Sequence, residues 1–255
     1  MKVKRTLSLF LALENLRRTG GPIAVTLLAM VWLSACHHTP TESGAVRTSE
    51  KAVEGNAEKV RLEVHQPVGE LRIRPGATKL LNASFRYSEH LGEPEVTYEG
   101  TSGSGRLVVS KKREREKTIT FGSMTNEWTL QLSDKPTYDV HLEMGAGSGE
   151  IDLSKFTLRG VSVQVGAGEV DLDVSGAQKR DVDVKIQGGV GAATVILPKA
   201  MGVEARVQKG IGGVEIKGLT KKGELYYNDA YAEGKPVMKL TVQTGVGLVE
   251  LKVAE

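Results

Sequence analysis

The sequence predicts an all-β fold of the β-solenoid class, and two observations carry this prediction. Five motifs place two glycines around one small or apolar residue, at residues 145–147, 166–168, 189–191, 210–212 and 245–247. Their first glycines lie 21, 23, 21 and 35 residues apart, which indicates an internal repeat with one insertion before the last copy. Apolar and polar residues alternate in the runs between the motifs, as at 169–174 and 181–186, and this pattern is typical of half-buried strands.

The ten glycines of these motifs need a physical reason. Each costs about 0.5–1 kcal/mol relative to alanine inside a strand. Together they would cost roughly 5–10 kcal/mol, as much as the net stability of a whole domain. We therefore expect each motif to form a corner, where the backbone takes positive φ or neighbouring backbones pack closely. A coil of two strands and two turns must then stack on others to bury its apolar face. An antiparallel β-sandwich with glycine-rich hairpins is the alternative fold.

Residues 1–35 are predicted to be a signal peptide. They begin with basic residues such as Lys2 and Arg5 and continue into the apolar run 23–33, which is too short to span a bilayer as a helix. Residues 33–36, Leu-Ser-Ala-Cys, resemble the lipobox of bacterial lipoproteins. This resemblance implies cleavage before Cys36, the only cysteine of the chain, and lipidation of its thiol. An ordinary buried cysteine is the alternative.

Lipidation of Cys36 predicts that the membrane is a partner of this chain, because two or three acyl chains make an anchor effectively permanent. The next residue is His37 and not aspartate, which favours the outer membrane in a Gram-negative organism and the outer face of the cell membrane otherwise. The chain has 34 basic and 31 acidic residues, and residues 1–35 hold five and one of these, so 29 and 30 remain. This balance predicts no nucleic-acid partner.

The rest of the chain divides into three predicted regions. Residues 36–58 are polar without apolar periodicity, which predicts a lipidated, flexible tether. His37 and His38 could bind a metal, but two adjacent side chains without further ligands make a poor site, so we expect no metal and no cofactor. Residues 59–143 form a strand-rich N-terminal β region. Residues 144–255 form the repeat solenoid, continuous with that region.

Two loops carry side chains that could bind a partner. The run 111–117 has a net charge of +3, and a solvated hairpin tip is favoured over contact with anionic headgroups or wall polymer. The insertion 219–233 could bind a glycan or a protein, but capping the open end of the solenoid is favoured. Its polar aromatic cluster consists of Tyr226, Tyr227, Asn228 and Tyr231.

Asp139, His141 and Glu143 are the sharpest candidates for catalysis or metal binding, because strand alternation places them on one face. A solvent-facing polar stripe is favoured instead, since the same outward pattern recurs at Glu150, Asp152, Glu169, Asp171 and Asp173. Phosphate-binding and dinucleotide-binding glycine loops open a helix, whereas strands follow the motifs here. We therefore expect no catalytic or cofactor-binding residues.

Several segments resemble a known family. The segments 126–128, 139–153 and 165–172 are similar to the toast-rack family of bacterial envelope proteins. Three later segments resemble the C-terminal domain of LiaF-type cell-wall-stress response proteins, namely 210–216, 226–228 and 244–251. The resemblance covers most of residues 60–253. It implies an all-β, solenoid-like stack in an envelope setting, with no established catalytic residues.

These observations predict a membrane-anchored envelope lipoprotein that is not an enzyme. Its expected role is that of a scaffold or interaction module for an envelope protein or a cell-wall glycan, with the cell-wall-stress response as the implied setting. The alternative is an envelope-anchored carbohydrate-active enzyme, because a solenoid can present acids and bases along a groove.

Overall fold

The computed structural model describes residues 45–111 and 124–255. Within these ranges the chain forms 13 strands in one mixed sheet, one 3-10 helix at Glu89–Leu91 and no α-helix. The strands are β1 (Val46–Val53), β2 (Lys59–Pro75), β3 (Leu81–Ser88), β4 (Pro94–Gly100), β5 (Ser104–Lys111), β6 (Asn126–Leu132), β7 (Thr137–Asp152), β8 (Thr157–Asp173), β9 (Val182–Leu197), β10 (Gly202–Lys217), β11 (Thr220–Lys222), β12 (Leu225–Tyr227) and β13 (Val237–Val253).

Six long strands form a stack in the spatial order β2, β7, β8, β9, β13, β10, and each pairs in parallel with the next. Each long strand is one coil with a corner near its middle, so we call the segments before and after the corner its first and second limbs. The corner motifs lie in register from coil to coil. This arrangement confirms the predicted glycine-cornered β-solenoid, and its parallel pairing rules out the antiparallel sandwich.

The alternation of side chains explains which face of each coil is buried. In β8, Val163 and Val165 point inward before the corner, and Val170 and Leu172 point inward after it. The corresponding positions of the other coils contribute to one continuous hydrophobic core. Burying each such side chain stabilises the fold by roughly 1.5–3 kcal/mol, and this burial is available only when coils stack.

The two glycines of a corner are required for different reasons. Gly168 has a φ of 140°, and a Cβ added there would lie 1.8 Å from the carbonyl oxygen of Gly147 in the preceding coil. Gly166 lies outside the positive-φ region, but its Cβ would lie 2.4 Å from the carbonyl oxygen of Gly145. The first glycine is therefore required only because the coils stack closely. The second is required for close stacking and also for the positive φ of the turn.

The first coil has a corner without the Gly-x-Gly pattern. In β2, Val68 aligns with Ala146 and Gly69 with Gly147, and Gly69 has a φ of 121°. The side-chain amide of Asn126 donates to the carbonyl oxygen of Val68, and its Oδ1 accepts a 2.7 Å hydrogen bond from Trp128 Nε1. The solenoid thus begins at β2, and the boundary that we predicted between residues 143 and 144 falls inside β7.

The predicted tether also needs a correction. Residues 46–53 form β1, which pairs antiparallel with β3 from Val46 and Ser88 to Val53 and Leu81. The flexible tether is therefore a wrong prediction for these residues. Cys36, His37 and His38, like most of the charged run 111–117, lie outside the described residues.

The coils do not stack in chain order. β10 does not pair with β9, which precedes it in the chain. β13 lies between them and pairs with both. The insertion between them forms β11 and β12, and β12 pairs with the first limb of β10 at Glu204 and Ala205. Asn228 is buried, and its Oδ1 accepts a 2.9 Å hydrogen bond from the backbone N–H of Val203. The insertion therefore caps the first limb of β10, in agreement with the favoured interpretation.

Four alanine variants separate the two requirements at the corners. Gly168→Ala introduces both strain and a clash, Gly166→Ala a clash alone, Gly76→Ala positive-φ strain in open space, and Gly103→Ala neither. We expect Gly103→Ala to change the free energy of unfolding by less than about 0.5 kcal/mol. Gly76→Ala should lose about 1 kcal/mol or more, and both corner variants should lose more than that. Chemical denaturation measures all four, and equal stability of Gly168→Ala and Gly103→Ala would refute the corner geometry.

Candidate functional site

A shallow groove crosses the coils beside their corners. Its larger section has a volume of about 1320 Å³ and extends from Glu95 and Lys111 to Gln187 and Gly189. A second section of about 320 Å³ continues over β13 and β10. We define the corner groove as the surface formed by the first glycines of four corners, Gly145, Gly166, Gly189 and Gly245, together with His65, Glu143, Gln164, Gln187, Gln243 and Gln208.

Four glutamines form a row of amides along this groove. Gln164, Gln187, Gln243 and Gln208 are consecutive partners in the strand register. Nε2 of Gln187 donates to Oε1 of Gln243 at 3.1 Å, and Nε2 of Gln243 donates to Oε1 of Gln208 at 2.7 Å. Because paired strands lie about 4.8 Å apart, the amides repeat at that spacing. Each amide has two donor hydrogens and an acceptor oxygen, so the row retains hydrogen-bonding capacity for a ligand.

The sequence contains a signal for this row that our sequence analysis missed. A glutamine stands two residues before the first glycine in four of the five motifs, which makes the repeat Gln-x-Gly-x-Gly. The corresponding residue is Glu143 in the remaining motif and His65 in the first coil. The signal is a polar residue at a fixed offset from the glycines, and the predicted Gly-x-Gly corner does not include that position.

The groove is charged at the end nearer the first coil. His65 Nδ1 lies 2.9 Å from Glu143 Oε2, and His65 Nε2 lies 3.9 Å from Glu63 Oε2. Arg106 donates two hydrogen bonds of 2.9 and 2.6 Å to the Glu63 carboxylate. This hydrogen bonding lowers the pKa of Glu63 from its usual value. The groove therefore changes along its length from the His65–Glu143 contact, with the Glu63–Arg106 ion pair beside it, to neutral amides on the later coils.

The three predicted candidates share one face but do not form one site. Asp139 Oδ1 lies 3.2 Å from His141 Nε2, without the alignment of a hydrogen bond, and Asp139 Oδ2 accepts a 3.1 Å hydrogen bond from Arg61. Glu143 contacts His65 instead and belongs to the corner groove. Throughout residues 45–111 and 124–255, no three His, Cys, Asp or Glu side chains are grouped to hold a metal ion.

The aromatic side chains of the insertion mainly contact one another and nearby lysines. The rings of Tyr227 and Tyr231 pack edge to face with centroids 4.6 Å apart. Lys221 lies 5.5 Å from the ring centre of Tyr226, and Lys222 lies 5.9 Å from that of Tyr227. These contacts fit the capping role of the insertion.

Residues 39–196 match the profile of the N-terminal domain of toast_rack, DUF2154. This chain belongs to the toast-rack family. Residues 145–251 of this toast-rack protein also match a second family, the C-terminal domain of LiaF. The description of that family is "cell wall-active antibiotics response". The two matches overlap from the corner of β7 through most of β9, so they cover one continuous stack.

One solved structure resembles the chain closely. It is a crystal structure from Clostridium sporogenes, provisionally named a cell adhesion protein, with 36% identity and a TM-score of 0.77. The match covers 82% of this chain and 100% of that chain. A provisionally named adhesin from Bacteroides fragilis shares 12% identity with a TM-score of 0.30, and the match covers 81% of this chain and 97% of that chain.

No curated protein matches this toast-rack chain. In the part of the chain that the structure describes, no helical segment has the length and hydropathy needed to cross a bilayer.

Replacing Arg106 by glutamine tests the charged end of the groove. The variant Arg106→Gln should raise the pKa of Glu63, because the largest cause of its lowered value is removed. A carboxyl whose folded pKa is lowered stabilises the fold above its unfolded pKa, near 4.5, and loses this effect as the pH falls through the folded value. As the pH falls from 5 through the folded pKa of Glu63, the free energy of unfolding should therefore decrease less in the variant than in the wild type. NMR titration of the Glu63 carboxyl measures the shift directly, and an unchanged titration would contradict the assigned cause.

Proposed function

We propose that this toast-rack protein is a non-enzymatic binding module, exported and held at the cell envelope by a lipid on Cys36, whose corner groove binds an extended cell-wall glycan. The observation that carries the proposal is the row of register-aligned glutamine amides, which lies beside stacked glycines and continues from coil to coil.

The geometry of the groove suits a linear ligand with repeated polar groups. The glycines of the corners have no side chains, so they leave a low floor beside the amides. The four glutamines of the row, together with His65 and Glu143, occupy six register positions. At the spacing of paired strands these positions span roughly 24 Å. A glycan offers hydroxyl and amide groups along its length, and each can exchange a hydrogen bond with an amide side chain.

The positions of Asp139 and Glu143 do not favour the enzymatic alternative. A glycoside hydrolase generally needs two carboxyl groups about 5–9.5 Å apart on either side of the scissile bond. Asp139 and Glu143 are four residues apart on one strand, a Cα separation of roughly 13 Å. Asp139 contacts Arg61, whereas Glu143 contacts His65. At this separation, the carboxyl groups of Asp139 and Glu143 are not placed to act together on one glycosidic bond.

The comparisons support an envelope setting for this proposal. The Clostridium sporogenes relative is provisionally named a cell adhesion protein, and adhesion requires a module displayed outside the cell. The LiaF-like match supports the further proposal that the module acts within the cell-wall-stress response. In the proposed arrangement, a lipid on Cys36 supplies the membrane attachment.

Binding to purified cell-wall sacculi tests the groove. The double variant Gln164→Ala with Gln187→Ala removes two amides, each worth about 0.5–1.5 kcal/mol in a hydrogen bond, so affinity should fall about tenfold. Gln131→Ala is the matched control, because Gln131 is an exposed glutamine of β6 outside the groove. Cosedimentation of the full chain with sacculi measures the affinity.

Two outcomes would count against this function. Equal affinity of the groove variant and the control would exclude the amide row as the binding surface. Release of soluble wall fragments by the wild type, lost on replacing Asp139, His141 and Glu143 by alanine, would favour the carbohydrate-active enzyme.

Metabolic labelling with a palmitate analogue tests the anchor independently of the groove. The wild type should incorporate the label and fractionate with membranes, whereas Cys36→Ala should do neither, because this thiol is the only one in the chain. A label retained by Cys36→Ala would show that the anchor lies elsewhere.

A further inference from the structure

The far end of the stack is open along half of its edge. β10 is the last coil, and β12 pairs only with Glu204 and Ala205 of its first limb. Among the described strands, none pairs with the outer side of β10 between residues 206 and 217. We call residues 211–217 the free edge. Backbone N–H and C=O groups on such an edge are available to pair with another strand.

The hydrophobic core is incompletely covered at this free edge. Val214 and Ile216 align with Val249 and Leu251 of β13, which are fully buried, yet Val214 and Ile216 are only half-buried. The difference arises because β13 is covered on both sides and the second limb of β10 on one side alone. Ile211, at the corner of the same coil, is 75% exposed. A strand added beside residues 215–217 would cover Ile216.

The edge at the opposite end of the sheet is protected by charge. On β1, Arg47 forms a 2.6 Å ion pair with Glu89, and Lys51 forms a 2.7 Å ion pair with Glu93. Charged side chains along an outer strand discourage pairing with other chains. The free edge instead begins with an exposed isoleucine and two glycines, and its charges are confined to Glu215 and Lys217.

We propose that residues 215–217 of the free edge pair with the same residues of a second copy of this chain, antiparallel about a twofold axis through Ile216. The side-chain alternation restricts the register, because Val214 and Ile216 must stay on the core side in both copies. An axis through Glu215 would place two glutamates opposite each other. An axis through Ile216 places each Glu215 opposite Lys217 of the second copy, which gives two ion pairs.

Within one chain, Lys217 already forms ion pairs with two carboxylates. Lys217 Nζ lies 3.0 Å from Glu215 Oε1 and 3.0 Å from Glu250 Oε1. An ammonium group has three donor hydrogens, so Lys217 can contact a further carboxylate across the axis. Such a contact is isologous, with the same residues used by both copies, and it forms a closed dimer that leaves the corner groove accessible. This inference does not depend on the ligand proposed for that groove.

Charge reversal in two separate variants tests the dimer and its register. The full chain in detergent should sediment as a dimer. Glu215→Lys places two lysines together at both contacts, and Lys217→Glu places two glutamates together, so each variant should dimerise at least about tenfold more weakly. An equimolar mixture of the two variants should restore the dimer, because both contacts then join opposite charges. Lys155→Glu, which reverses an exposed charge in the turn after β7, should dimerise like the wild type.

Sedimentation velocity distinguishes the outcomes, and circular dichroism verifies that each variant is folded. A monomeric wild type at its highest soluble concentration would overturn the proposal. A dimer that persists in both single variants would place the contact on another surface. Loss of the dimer in both variants without restoration in the mixture would overturn the register through Ile216.

Discussion

The contact on which the structure depends is the approach of one corner backbone to the next. The carbonyl oxygen of Gly147 occupies the place where a side chain of Gly168 would begin, and the same relation recurs between later coils. Any residue with a Cβ at these positions would separate the coils and expose the core between them. The glycines therefore fix the spacing of the coils, and the parallel hydrogen bonds and buried valines follow from that spacing.

A fixed register turns each repeat position into a line of similar side chains along the stack. The position two residues before the corner becomes the amide row of the groove. The residue between the two glycines becomes an outward line that changes from Ala146 and Ala167 to the exposed Val190, Val246 and Ile211. Polarity, charge and size therefore vary along the stack while the backbone stays almost constant. A surface of this kind can be altered one coil at a time.

The sequence predicted the solenoid because its strongest constraint is written in one residue type at a regular spacing. It did not predict β1, since that strand is stabilised by pairing with β3 and has few apolar residues of its own. Nor did the Gly-x-Gly pattern identify residues 67–69 as the first corner, because Pro67 replaces a glycine there and Asn126 secures the turn from another strand. The groove row was present in the repeat, but the sequence shows which amides are neighbours only once the order of the coils is known.

The position of β13 between β9 and β10 has a consequence for how the chain reaches its folded state. Every earlier coil can add to a neighbour that has already emerged from the ribosome or from a translocation pore. β10 cannot, because its neighbour in the finished stack lies after it in the chain. Before β13 is present, β9 has one unpaired edge and β10 has no long strand to pair with. The stack can therefore be completed only after β13, the last long strand, has been synthesised or translocated.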